Sequence, residues 1–331
     1  MTNTAHEPDL AGQGVSVVVP CYNEADNVED AYRQVVAEFG DHDVEFVFVD
    51  DGSTDGTLPI VRRLAAADPR VRYLSFTRNF GFEAAFSAGY RYASKPWVLH
   101  IDADVQFPVA EAHKLVAASA GQDAVFGVRE TRHDPFVRRA GARAYHLVAR
   151  RLLGIEIPPG ATTFRLVRTE LARRIVDLRL GTPYFLATVP RLTNRYTTVA
   201  VEHRARARGS SKLNLRWLVG HAMGLFVGFS NRLASVAALV ALVAAGLALV
   251  AALGGVTGLL DPVGGVTVLL LLLVPLLAAL AVTVRYVVAV GSGQPRPALY
   301  YVRESNIDVE PADLLLTTAA LEPVGTGGRA R

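Results

Sequence analysis

Three clusters of residues could carry chemistry. Asp102-Ala103-Asp104 with Gln106 follows an apolar run, and the three polar side chains fall at a spacing of two. If the chain stays extended there, all three point the same way. Oxygen ligands held like this suit Mg²⁺ or Mn²⁺, which take one or two protein carboxylates and fill the rest with phosphate oxygens and water. Asp50-Asp51-Gly52-Ser53 closes a second apolar run, where a carboxylate can accept hydrogen bonds from ribose hydroxyls or a base N–H. The same residues favour turns, and Asp55 could cap the next helix, so the turn can be the device that presents Asp51. Pro20-Cys21-Tyr22-Asn23-Glu24 closes a third run: Pro20 removes a backbone donor, leaving Glu24 free for a ligand.

The elements that must position these clusters alternate in type. Val15–Val19, Val44–Val49, Val71–Ser75, Trp97–Ile101 and Ala124–Val128 read as buried strands. Helical patterns lie between them at about Val28–Phe39, Leu58–Ala66, Glu83–Ala93 and Val109–Ala120. That rhythm predicts a Rossmann-like, mostly parallel sheet covered on both faces, with ligands at the carboxyl ends of strands, where the three clusters sit. From Pro135 to His203 the pattern is less regular: an Arg-rich helix over Phe136–Leu153, strands at Thr163–Val167 and Thr198–His203, then a basic Gly/Ser-containing loop, Arg204–Lys212.

Composition divides the 331 residues into two populations. Half are hydrophobic and mean hydropathy is +0.26, yet from Leu233 to Val284 the only charged residue is Asp261. Leu233–Leu253 and Val263–Val284 can each span a hydrocarbon core of about 30 Å, and uninterrupted apolarity leaves no face for water. Arg216 and Arg232 precede the first run, Arg285, Arg296 and Arg303 follow the second, and the loop Gly254–Pro262 carries no Lys or Arg. The positive-inside tendency then places both ends in the cytoplasm. Asn214–Arg232 reads as a helix lying at the interface, and the chain from Asn306 onward as a loosely ordered extension. Met1–Gly14 lacks the apolar core of a signal peptide. Cys21 is the single cysteine, so no intrachain disulfide forms, and a net charge of +3 does not argue for nucleic acid. His100, His113 and His203 show no metal-ligand spacing.

Val19-Pro20-Cys21-Tyr22-Asn23-Glu24, Val49–Gly56, Arg78-Asn79-Phe80-Gly81, Asp102–Gln106 and Arg206–Lys212 occur in order, followed by two apolar spans. Together they resemble family 2 glycosyltransferases of the GT-A fold, in the dolichol-phosphate-mannose-synthase-like, polyprenyl-phosphate branch. The resemblance covers about residues 14–303. It implies a leader at 1–13, a GT-A domain at 14–213, an interface helix at 214–232, a transmembrane hairpin at 233–285 and a cytoplasmic tail at 286–331. It implies a UDP- or GDP-linked sugar as donor, bound by Pro20, Tyr22, Glu24, Asp51, Asp102 and Ser211, and a metal held by Asp104 with Gln106. Arg206 and Lys212 would close over the donor phosphates and act with Asp104 in catalysis, while Arg129, Arg143 and Arg139 would hold the acceptor phosphate. The implied reaction is inverting transfer to a polyprenyl phosphate at the cytoplasmic face of the inner membrane, by a protein that could self-associate through its spans.

The chain departs from the pattern at Gly160-Ala161-Thr162-Thr163-Phe164-Arg165-Leu166, where an acid is expected at the position of Thr163 and others near Pro159 and Gly160. Leu213 also stands where an aromatic commonly follows the lysine. Two other readings therefore stay open: transfer to a hydroxyl of a lipid-linked glycan, and an inactive membrane-bound scaffold.

Overall fold

The computed structural model describes residues 13–130, 147–152, 154–178, 184–204, 232–259, 261–291 and 299–315. The Arg-rich helix expected over Phe136–Leu153 is described only at Leu147–Leu152, where Val148–Leu152 form a π-helical turn. The expected interface helix lies outside the described residues up to Arg232. The chain divides into two units, one made of Met1–Arg132, Pro158–Gly209 and Pro297–Arg331, the other of His133–Ile157 and Ser210–Arg296.

The first unit is an eight-stranded sheet in the order β7-β5-β6-β4-β1-β2-β3-β8. Its centre is β1 (Val15–Cys21), paired in parallel with both β2 (Val44–Asp50) and β4 (Trp97–His100); β3 (Val71–Phe76) extends the parallel run beyond β2. Every residue of β1, β2 and β4 is buried, as expected of strands covered on both faces, and β-branched and aromatic side chains dominate them. On the far side of β4, β6 (Ala161–Arg168) runs antiparallel to it and to β5 (Ala124–Arg129), and β7 (Tyr196–Val201) forms the edge.

Helices cover both faces. One core packs α1 (Val28–Phe39), α2 (Thr57–Ala67) and α4 (Ala112–Ala117, entered through a 3-10 turn at Val109–Glu111) on one side. A second core gathers α3 (Phe82–Tyr92), α5 (Thr169–Asp177) and α6 (Phe185–Leu192) on the other. In α3 seven consecutive residues, Ala84–Tyr90, are buried. It lies close to the sheet because Gly89 has no side chain; a Cβ there would meet Val18 Cγ1 at 2.3 Å.

The extension expected from Asn306 is instead ordered against the sheet through Leu314. β8 (Val302–Ser305) pairs antiparallel with β3, and the Asn306 side chain exchanges hydrogen bonds with the Tyr73 N–H (2.7 Å) and the Val71 carbonyl (2.9 Å). Beyond it, the Tyr92 hydroxyl donates to Asp313 at 2.7 Å. β8 needs the open edge of β3 to form at all, a tertiary contact with no local signature.

In the second unit, α7 (Arg232–Val256) and α8 (Pro262–Gly291) are two apolar helices joined by a short turn. Asp261 accepts the Gly264 N–H at 3.0 Å, which satisfies one open donor at the start of α8. The stretches Ala234–Val256 and Val263–Val288 are long and apolar enough to cross a membrane, and most of their large side chains are exposed, Leu242, Leu249 and Leu271 among them.

Candidate active site

The carboxyl ends of β1, β2 and β4 open onto a cavity of about 450 Å³ lined by Pro20, Cys21, Tyr22, Glu24, Asp51, Asn79, Gly81, Phe82, Ala85, Asp102, Ala103 and Asp104. Three chain segments are tied together to form its wall. Asn23, in a left-handed backbone conformation (φ 55°), accepts the Thr54 N–H at 2.8 Å, and its own N–H donates to Ser53 Oγ at 3.0 Å. The Glu24 N–H donates to Thr57 Oγ1 at 2.9 Å. Asp55 accepts the Thr57 N–H at 2.9 Å and the Ala25 N–H at 3.2 Å, so it locks the start of α2 to the β1 loop.

The acidic pair at the end of β2 divides its work. Asp50 is spent on structure, accepting the Ser53 N–H (3.1 Å) and the Ser75 hydroxyl (2.7 Å). Asp51 faces the cavity while accepting the N–H groups of Phe80 (2.6 Å) and Gly81 (2.9 Å). Burial raises its carboxyl from 3.8 to about 6, helped by the Asp50 charge and opposed by those two N–H donors and Arg78. The turn works only with Gly52 at φ +66°, where a Cβ would lie 2.4 Å from the Arg78 carbonyl carbon.

The acidic segment after β4 is not extended. β4 ends at His100, the Val105 N–H closes a turn onto the Asp102 carbonyl at 3.0 Å, and Val105 has φ 46°. The turn leaves Asp102 and Asp104 on the cavity wall but Gln106 off it, so the equal spacing does not translate into one shared face. The Gln106 carbonyl accepts the Arg204 N–H at 2.8 Å, which starts the basic loop beside the acidic turn.

Asp102, 30% exposed, is held by neighbours that sequence reading did not assign. Thr163 Oγ1 donates to its Oδ2 at 2.6 Å, and His100 Nε2 lies 3.7 Å from its Oδ1. Burial opposes ionisation of Asp102, but His100, Thr163 and Arg165 outweigh it and hold the carboxyl below its ordinary range. The register of β4 against β6 puts His100 opposite Arg165, and the side-chain contact of Asp102 with Thr163 follows two residues on. Asn79, Gly81, Phe82 and Ala85 are also unassigned lining residues, although Arg78–Gly81 belongs to the ordered motifs.

One oxygen of Glu24 accepts Asn27 Nδ2 at 2.6 Å, so that carboxylate is partly engaged by its own helix start. Arg129 closes β5 away from the cavity lining, its guanidinium 6.0 Å from the Phe107 ring centroid. Arg139, Arg143, Arg206, Ser211 and Lys212 lie outside the described residues.

Comparison with known proteins gives the site its family. Residues 16–176 match the model of glycosyl transferase family 2. The chain is 30% identical to CsbB of Bacillus subtilis, over 66% of this chain and 67% of the relative. It is 32% identical to an undecaprenyl-phosphate 4-deoxy-4-formamido-L-arabinose transferase of Pseudomonas fluorescens, over 70% of each. The chain belongs to glycosyl transferase family 2. A third relative, the bactoprenol glucosyl transferase of Shigella phage SfV, is 33% identical over 60% of this chain and 66% of the relative. The protein is thus a glycosyltransferase, with the mostly parallel sheet and flanking helices of the GT-A fold. The matched segment ends within α5 and contains all twelve cavity residues.

Among the described residues no three His, Cys, Asp or Glu side chains cluster as a metal-ligand group. A Mg²⁺ or Mn²⁺ ion at a diphosphate takes only one or two protein carboxylates, with phosphate oxygens and water filling the rest of its shell, and needs no such cluster.

Proposed function

We propose that this family 2 transferase moves a sugar from a UDP- or GDP-linked donor onto a polyprenyl phosphate, inverting the anomeric carbon, at the cytoplasmic face of the membrane. The observation that carries the reading is Thr163: at the position where the family pattern has an acid, a hydroxyl donates to Asp102. A phosphate monoester has a second pKa near 6 and is largely dianionic at neutral pH, so it attacks without a protein base. A sugar hydroxyl would need one. Two of the relatives carry undecaprenyl phosphate or bactoprenol in their names, which agrees with a lipid phosphate acceptor.

In this reading Pro20, Tyr22, Glu24 and Asp51 hold the base and ribose, and Asp102 with Ser211 orients the nucleotide. Asp104 would hold Mg²⁺ or Mn²⁺, which when bound would neutralise charge on the departing diphosphate. Arg206 and Lys212 would share that task, and Arg129, Arg139 and Arg143 would receive the acceptor phosphate. A lipid phosphate oxygen forms the new bond to the anomeric carbon as the bond to the nucleoside diphosphate breaks, and the electron pair leaves with the diphosphate. α7 and α8 would cross the membrane as a hairpin, and the arginines flanking them support cytoplasmic ends.

Membranes containing the protein, given radiolabelled donor and undecaprenyl phosphate, are expected to label the lipid. Label passing only to a glycan hydroxyl would move the assignment to a hydroxyl acceptor, and no donor turnover by either the wild type or Asp104→Asn would favour a scaffold.

A further inference from the structure

Behind Asp102 lies a line of buried polar side chains that the proposed chemistry does not use. Arg165 on β6 is 2% exposed, and Tyr90 on α3 and His100 on β4 are fully buried. Arg165 Nε donates to Tyr90 Oη at 2.7 Å, and Tyr90 Oη lies 3.0 Å from His100 Nδ1. The Tyr90 oxygen already accepts from the guanidinium, so its own proton goes to Nδ1. That assigns the tautomer: His100 carries its proton on Nε2, the nitrogen that faces Asp102 Oδ1 at 3.7 Å and has no hydrogen-bond partner among the described residues.

The arrangement is costly if it serves only to fill the core. A buried guanidinium loses its hydration, and Arg165 Nη2 has no hydrogen-bond partner among the described residues. Its charge is met by the ring faces of Phe185 (4.1 Å to the centroid), Phe86 (5.0 Å) and Tyr90 (5.5 Å), and Glu83 on the same face of α3 contributes an opposing charge. A well-packed apolar set would be at least as stable there. The end of the line that reaches the cavity is Asp102.

We infer that His100, fixed in one tautomer by Tyr90 and Arg165, is a positioning residue for Asp102, holding Oδ1 while Thr163 holds Oδ2. Two partners on two oxygens set the rotation of the carboxylate about its last bond, as supporting hydrogen bonds do for metal-binding and catalytic groups. At 3.7 Å, Nε2 lies just beyond hydrogen-bond reach of Oδ1, and the inference is that this contact tightens once a donor occupies the site. This inference rests on the reading of Asp102 as a donor-site residue.

The test is calorimetric binding of UDP and of GDP, each with Mn²⁺, to the full-length protein in detergent, with thermal melting measured in parallel. His100→Phe, which keeps a ring and loses the donor, should weaken affinity about tenfold, and His100→Gln, whose amide nitrogen reaches toward the Nε2 position, should recover to within about threefold. Tyr90→Phe removes a single oxygen and should give an intermediate loss; it serves as the readout should His100→Phe not fold. In an Asp102→Asn background, His100→Phe should add less than about twofold, because the two residues act as one unit. The inference is overturned if Asp102→Asn weakens binding while His100→Phe lowers only the melting temperature, or if the two losses multiply. Should Asp102→Asn leave affinity unchanged, the donor-site reading fails as well, and the two failures are told apart by that variant alone.

Discussion

Replacing Asp51 by Asn should separate donor binding from stability. Asp51 is 3% exposed and accepts two backbone N–H groups, from Phe80 at 2.6 Å and Gly81 at 2.9 Å. Its shift from 3.8 to about 6 means that folding disfavours the charged form by ~3 kcal/mol at neutral pH. A neutral Asn removes that penalty. It also presents an NH₂ to one of the two N–H donors, and a buried donor left without an acceptor costs ~1–3 kcal/mol. The two effects nearly cancel, so the melting temperature should move by only a few degrees. Binding has no such compensation. A hydrogen bond to a charged acceptor contributes ~1.5–3 kcal/mol, so losing the carboxylate facing the cavity should weaken nucleotide affinity by about 10- to 100-fold. Calorimetric titration of UDP and GDP beside a melting curve reads both. Unchanged affinity for every nucleotide tried, with the fold intact, would refute the assignment of Asp51 to the donor.

Glu83→Gln should change how stability depends on pH. Burial raises Glu83 from 4.5 to about 7, with Arg165 opposing, so between those values the folded chain binds more protons than the unfolded one and stability falls as pH rises. The variant should match the wild type near pH 4.5 and exceed it by up to ~3 kcal/mol at pH 8, read from melting curves; a constant difference across that range would contradict the burial argument. Gly52→Ala forces a side chain into φ +66° and into the Arg78 backbone, and denaturant melts should show a loss of ~2 kcal/mol or more. Thr163→Val keeps the shape but removes the donor to Asp102 Oδ2, and nucleotide affinity measured by calorimetry should fall roughly tenfold, whereas Thr163→Ser should hold it.

The central strands are legible because burial on both faces writes itself as near-continuous apolar runs: Val15–Cys21 and Val44–Asp50 contain few residues that could be anything else. The turn-forming acids at their ends are equally visible. What escapes local reading depends on pairing. Val302–Ser305 is a four-residue strand ordered by the edge of β3, and Thr169–Asp177 is too charged to declare a buried face until Ala172, Ile175 and Val176 meet the core. The acidic segment follows its turn rather than its spacing, since Val105 adopts a positive φ that no β-branched residue advertises. Thr163 looks like a missing function in sequence. Across the β4–β6 register it is the hydrogen-bond donor that holds Asp102. The Tyr90–His100–Arg165 line is invisible for the same reason: its members come from three elements.

The most direct measurement is transfer itself. Purified protein, Mn²⁺, undecaprenyl phosphate and a panel of labelled UDP- and GDP-sugars should yield labelled lipid with one or more donors, and the label should disappear on chelation of the metal or with Asp104→Asn. Nucleotide sugars that bind and turn over while the lipid phosphate stays unlabelled would contradict the account.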